Sequence, residues 1–170
     1  WRHQLKFLGE LGYHVVAPDM RGYGRSSIYR DHEAYSQREI NLDMVELFDS
    51  LGKKEAIWIG HDWGSPVAWN MALHHPDKVK AVCSLCVPLG FGEHPENLMN
   101  TVNREIYPVE EYPAGQWDYQ FHYYENFDDA QKEMDEDPYK LVKILFRKGD
   151  PMGLGLPAGT SLTRKNKGWF

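Results

Sequence analysis

Residues 57–65 read Ile-Trp-Ile-Gly-His-Asp-Trp-Gly-Ser, an apolar run that breaks into a turn between Gly60 and Gly64. Val67 to His75 follows with helical character and stops at Pro76. A short apolar run ended by glycine predicts a strand, and the residues beyond the turn predict a helix packed back on it. Few folds tolerate a strand, a tight turn and a helix in so little chain. This segment therefore constrains the fold more than any other.

The flanks repeat the alternation. Trp1, Leu5, Leu8 and Leu11 sit at helical spacing ahead of Gly12, and Tyr13 to Ala17 reads as a strand ended by Pro18. A loop rich in glycine and charge runs from Asp19 to Ser27. Ser36 and Glu39 form a capping box before Ile40, Met44, Leu47, Phe48 and Leu51, with Gly52 as the stop. A further strand is expected over Val79 to Val87. Strands alternating with helices of this length predict crossover connections, a parallel sheet and an α/β fold. The apolar strand 56–59 is expected to be covered on both faces.

Composition changes after Pro88. Residues 88–116 are rich in Pro, Gly, Asn and Glu, 117–147 are aromatic and charged with helical periodicity, and 148–168 read as loop. A boundary is expected near 88–95, with a partial sheet core over 1–90 and a partial helical layer over 91–170. There is no internal repeat and no low-complexity tract.

Net charge is −6 and basic clusters are lacking, which argues against nucleic acid or an anionic membrane as partner. No apolar run reaches the roughly 18 residues of a membrane span. Cys83 and Cys86 sit at odd spacing in the third strand, so they are expected on opposite faces, unbridged and buried, in a reducing compartment such as the cytoplasm. No metal-ligand spacing occurs, and neither metal nor organic cofactor is expected.

Asp62 stands at the tip of the turn. A nucleophile elbow has this form: a strained residue between strand and helix, small neighbours two places before and after, and a helix N-terminus that favours an anion. Gly60 and Gly64 occupy the two small positions. A carboxylate is a poor nucleophile toward amides but competent toward an activated sp³ carbon, giving a covalent ester. The plainer possibility is that Asp62 only N-caps the helix.

Gly60 to Ser65, preceded by Asp19-Met20-Arg21-Gly22-Tyr23-Gly24-Arg25-Ser26-Ser27, resembles the soluble epoxide hydrolases of the α/β-hydrolase fold. Val79 to Leu85 and Pro88 look like that family's next strand, and Trp117 to Tyr124 looks like its cap segment. The resemblance implies an α/β-hydrolase core with part of a helical cap. It implies Asp62 as nucleophile, Tyr119 as donor to the epoxide oxygen, and Trp63 as oxyanion donor through its N–H and pocket wall through its indole. His61 reads as elbow support, and His122 as supporting or exposed. Tyr123 shares a helical face with Tyr119, while Trp117, Phe121 and Tyr124 suit packing.

The resemblance also implies that the second oxyanion donor, a second cap tyrosine, the late acid and the histidine base lie outside 1–170, so that this stretch alone would not turn over. The implied partners are a small apolar epoxide and water. Haloalkane dehalogenases share the elbow, and a non-catalytic binding protein could keep the scaffold. Tyr119 and the Arg21-Gly22-Tyr23-Gly24 loop favour the epoxide reading.

Overall fold

The computed structural model describes residues 1–90, 95–149 and 151–170. It divides into two compact units, Trp1–Leu89 and Gly90–Phe170. Residues 91–94, within the stretch where a boundary is expected, lie outside the described residues.

In the first unit, α1 (Arg2–Glu10) buries no residue. Helix α2 (Gln37–Ser50) starts where the capping box predicts: Ser36 Oγ accepts from the Glu39 N–H at 3.4 Å. Strand β1 (Ala56–His61) leads through the turn into α3 (Gly64–His74). Strand β2 (Val79–Leu85) then returns parallel to β1, with Trp58 opposite Val82 and His61 opposite Leu85. Met44 from α2 and Val67 and Met71 from α3 form the core, packed against Trp58, Val79, Ile40 and Met20. Met71 has no exposed surface, and burying a side chain of that size contributes about 2–3 kcal/mol.

Three expectations fail here. No β-ladder forms over 13–17; among the described residues the sheet has two strands. An extended run becomes a strand only when its N–H and C=O groups find a neighbour, and local pattern does not report the neighbour. Strand β1 is covered on one face, because α2 and α3 both lie on the Trp58 side, while Ile57, Ile59 and Leu85 are exposed. Both cysteines are free and exposed rather than buried. Cys83 pairs in register with Ile59 on the uncovered face, and Cys86 lies past the strand end at φ 79°.

The glycine-rich loop is tied to α2 and the segment before it. Arg21 reaches α2, donating from Nε and a terminal nitrogen to the Asp43 carboxylate at 2.6 and 2.7 Å, and it also donates to the carbonyls of Ala34 and Glu39. The bond to Asp43 is the main reason its pKa lies above the ordinary guanidinium value.

The second unit is helical: α4 (Pro95–Met99), α5 (Asp118–Glu125), α6 (Phe127–Glu136), α7 (Pro138–Leu145) and α8 (Thr163–Asn166). Asp137 caps α7 by accepting from the Lys140 N–H at 2.9 Å, so one aromatic, charged stretch becomes separate helices. The stretch 148–168 is not all loop. It contains 3-10 turns at Pro151–Gly153 and Gly159–Leu162 as well as α8. The gain there is tertiary: Arg164 donates from its backbone N–H and its Nε to buried Asp118 at 2.8 and 2.6 Å.

Candidate active site

Asp62 lies between β1 and α3 at φ 53°, one of three residues other than glycine with positive φ among the described residues. That conformation costs about 1–3 kcal/mol and persists only when its surroundings impose it. They do so here. The Asp62 N–H donates to Leu85 O at 3.2 Å, and the Ser65 N–H donates to Asp62 O at 2.9 Å. Ser65 has no exposed surface, and its hydroxyl lies 3.1 Å from Gly60 O and 3.0 Å from Leu85 O. Ser65 thus ties the turn to both strands, a role its place after Gly64 does not announce.

The two glycines are not equivalent. A Cβ on Gly60 would lie 2.6 Å from Gly64 C and 2.7 Å from Ser65 Cα, whereas one on Gly64 meets nothing within 4 Å. The close approach of β1 to the first turn of α3 therefore requires glycine at 60 only.

The capping alternative does not match the geometry. Trp63 is the N-cap of α3, with no side-chain cap bond. Asp62 instead accepts from the Trp63 N–H, at 2.7 Å to Oδ2. A carboxylate so placed meets the positive end of the α3 dipole. Asp62 and His61 are exposed, as is the Trp63 indole at 67%.

Tyr119 lies on α5 in the second unit. Its hydroxyl oxygen accepts from Gln120 Nε2 at 3.1 Å, which leaves its own proton to donate. Its ring meets Tyr123 edge-on at 5.7 Å and Trp169 at 6.2 Å. Burial raises the Tyr123 pKa above the ordinary phenol value, although the bond its hydroxyl accepts from Trp169 works the other way. Tyr124 is 89% exposed and does not pack as expected; it lies off the face that 119 and 123 share. His122 is buried at 3% exposure, not exposed, and neither ring nitrogen has a hydrogen-bond partner. Trp117 donates from Nε1 to Thr101 Oγ1 at 2.9 Å, and Phe121 lies 5.2 Å beneath the Arg164 guanidinium. Among the described residues no group of three or more His, Cys, Asp or Glu side chains could hold a metal ion, and no helix is long and apolar enough to cross a membrane.

The family described as "alpha/beta hydrolase fold" matches residues 1–134. The chain belongs to the α/β-hydrolase fold family. It is 51% identical over 88 residues to Epoxide hydrolase A of Mycobacterium tuberculosis (strain ATCC 25618 / H37Rv), covering 52% of this chain and 27% of that protein. It is 38% identical over 154 residues to Bifunctional epoxide hydrolase 2 of Rattus norvegicus, covering 91% of this chain and 26% of that protein. The crystal structure of Epoxide Hydrolase A from Mycobacterium thermoresistibile superposes with a TM-score of 0.70 at 35% identity, over 93% of this chain and 49% of that one. The chain thus spans about a quarter of the length of the curated relatives it matches.

Proposed function

We propose that this chain is part of an epoxide hydrolase that opens an epoxide to a vicinal diol through a covalent ester on Asp62. The observation that carries the reading is the elbow: an aspartate at φ 53° whose Oδ2 accepts from the Trp63 N–H at 2.7 Å. With Oδ2 held, Oδ1 is the oxygen free to attack. Its attack on an epoxide carbon breaks the ring C–O bond, and the departing oxygen takes a proton from the Tyr119 hydroxyl. Oδ2 then becomes the carbonyl oxygen of the ester. Water adds at that carbonyl carbon, and the charge that develops on Oδ2 already faces the Trp63 N–H and the start of α3. On collapse the added hydroxyl gives its proton to the leaving alkoxide, which releases the diol and restores the carboxylate, and the other proton of the water restores the Tyr119 hydroxyl.

In this reading the first unit, 1–90, is part of the catalytic core and the second, 91–170, is part of the cap. Gly60 and His61 support the elbow, Gly64 opens α3 with room for a side chain, and no residue within 1–170 is assigned as the water-activating base. The names of the relatives support epoxides over other electrophiles. The chemistry calls for water and a small apolar epoxide, with no metal or organic cofactor. Two free cysteines suit a reducing, cytoplasmic location.

The test offers the full-length protein an aryl epoxide and a chloroalkane, as wild type and as Tyr119→Phe. Diol from the epoxide, falling about a hundredfold in the variant, is expected. Halide release indifferent to Tyr119→Phe would replace the reading with a dehalogenase.

A further inference from the structure

Residues 163–170 close over α5 and α6 in a way that packing alone does not require. The chain leaves α8 through Lys167 at φ 58° and Gly168 at φ 134°, a tight left-handed turn sealed by the Gly168 N–H donating to Thr163 O at 2.9 Å. Glu133 of α6 receives the last two residues. Its Oε1 accepts from the backbone N–H groups of Trp169 at 2.5 Å and Phe170 at 2.6 Å. Gly168 takes a φ of 134° that strains any side chain, and a Cβ there would also press on that carboxylate.

The turn delivers the Trp169 indole to Tyr119 at 6.2 Å between ring centroids, with the planes at 52°. The indole N–H donates to the Tyr123 hydroxyl at 2.9 Å. Tyr123 stands edge-on to Tyr119 at 5.7 Å and 82°. The three rings form a closed set in which one hydrogen bond fixes two members and ring contacts fix the third. Edge-to-face contacts of this kind are directional, so they restrict ring orientation as well as bury area. Burial raises the Tyr123 pKa above the ordinary phenol value, against the bond from Trp169.

We propose that Trp169 is a positioning residue for Tyr119. It holds the phenol ring by direct contact and, through its N–H, by way of Tyr123, with the Glu133 carboxylate as its anchor. This rests on the reading of Tyr119 as the donor to the epoxide oxygen. A hydroxyl that must meet an oxygen appearing in the transition state is sensitive to ring placement, and misplacement of about 1 Å can cost about a hundredfold in rate.

The experiment measures single-turnover ester formation in the full-length protein with an aryl epoxide. It compares Trp169→Leu in the wild-type and Tyr119→Phe backgrounds. The expected loss in the rate of ester formation is about tenfold where Tyr119 is present and less than about twofold where it is not, with the half-saturating epoxide concentration little changed. Equal losses in both backgrounds, or no loss in either, overturn the proposal. If Trp169→Leu does not fold, Trp169→Phe and Glu133→Gln take its place, with smaller losses and the same dependence on Tyr119. Should wild type form neither ester nor diol, the epoxide reading fails separately. The ring set is then judged by 13Cζ-labelled tyrosine spectra, where Trp169→Phe must shift the Tyr119 and Tyr123 signals and unchanged signals overturn the proposal.

Discussion

Gly60→Ala and Gly64→Ala are the same chemical change two places either side of Asp62, and they should behave oppositely. The new Cβ at 60 would sit 2.6 Å from Gly64 C and 2.7 Å from Ser65 Cα, and it would press on the Gly64 carbonyl oxygen as well. All three are backbone atoms at the junction of β1 and α3, so no rotamer change relieves the contact. The first turn of α3 must retreat by about 0.5–1 Å, and overpacking a tight site costs about 1–3 kcal/mol. The upper end applies, because retreat also stretches the Ser65 hydroxyl contact to Gly60 O, now 3.1 Å. We expect Gly60→Ala to lose about 3 kcal/mol. At 64 a Cβ meets nothing within 4 Å, φ is not positive, and the residue opens a helix. Alanine there should be neutral or stabilising by up to about 1 kcal/mol. Urea unfolding of the full-length protein reads both as midpoint shifts at unchanged slope. Equal destabilisation by the two variants would refute the idea that close approach, rather than glycine as such, shapes the elbow.

The second unit supplies two further predictions. Arg164→Met leaves the buried Asp118 carboxylate without its cation and should cost about 3 kcal/mol in the same assay, partly recovered when Asp118→Asn is added. Burial works against the Arg164 charge, yet Asp118 and Glu125 outweigh it and hold its pKa above the ordinary value, so this contribution should persist throughout the neutral range. The raised Tyr123 pKa predicts that its share of stability is complete below about pH 10 and lost as pH rises through the higher folded value. Absorbance titration should show one late-ionising phenol, absent in Tyr123→Phe.

The features legible in the sequence are those that local chemistry decides. The Ser36–Glu39 box and Gly52 bracket α2, since caps act within one turn. The elbow is visible as an apolar run, a glycine, an aspartate and a helix, because its motif lies within nine residues, whereas the bonds to Leu85 O that help hold it are not. Helical spacing also separates Tyr119 and Tyr123 from Tyr124. Features that depend on distant partners stay hidden. Residues 13–17 have strand composition but no ladder. Cys83 alternates as a strand residue should, yet its face is uncovered. The Gly/Pro/Lys-rich stretch folds into short helices because Asp118, 46 residues earlier, receives Arg164. Trp169 carries no motif, and only the turn at 167–168 and Glu133 place it on Tyr119.

The proposed chemistry stands on Asp62 forming the ester and on water attacking its carbonyl carbon. Single turnover of a limiting epoxide by excess full-length protein in 18O-labelled water tests both steps at once. An Asp62 ester predicts an unlabelled diol from the first turnover, because its new oxygen comes from Asp62, and one 18O in the peptide that carries Asp62. Label in the first-turnover diol, with no mass gain at Asp62, would contradict it.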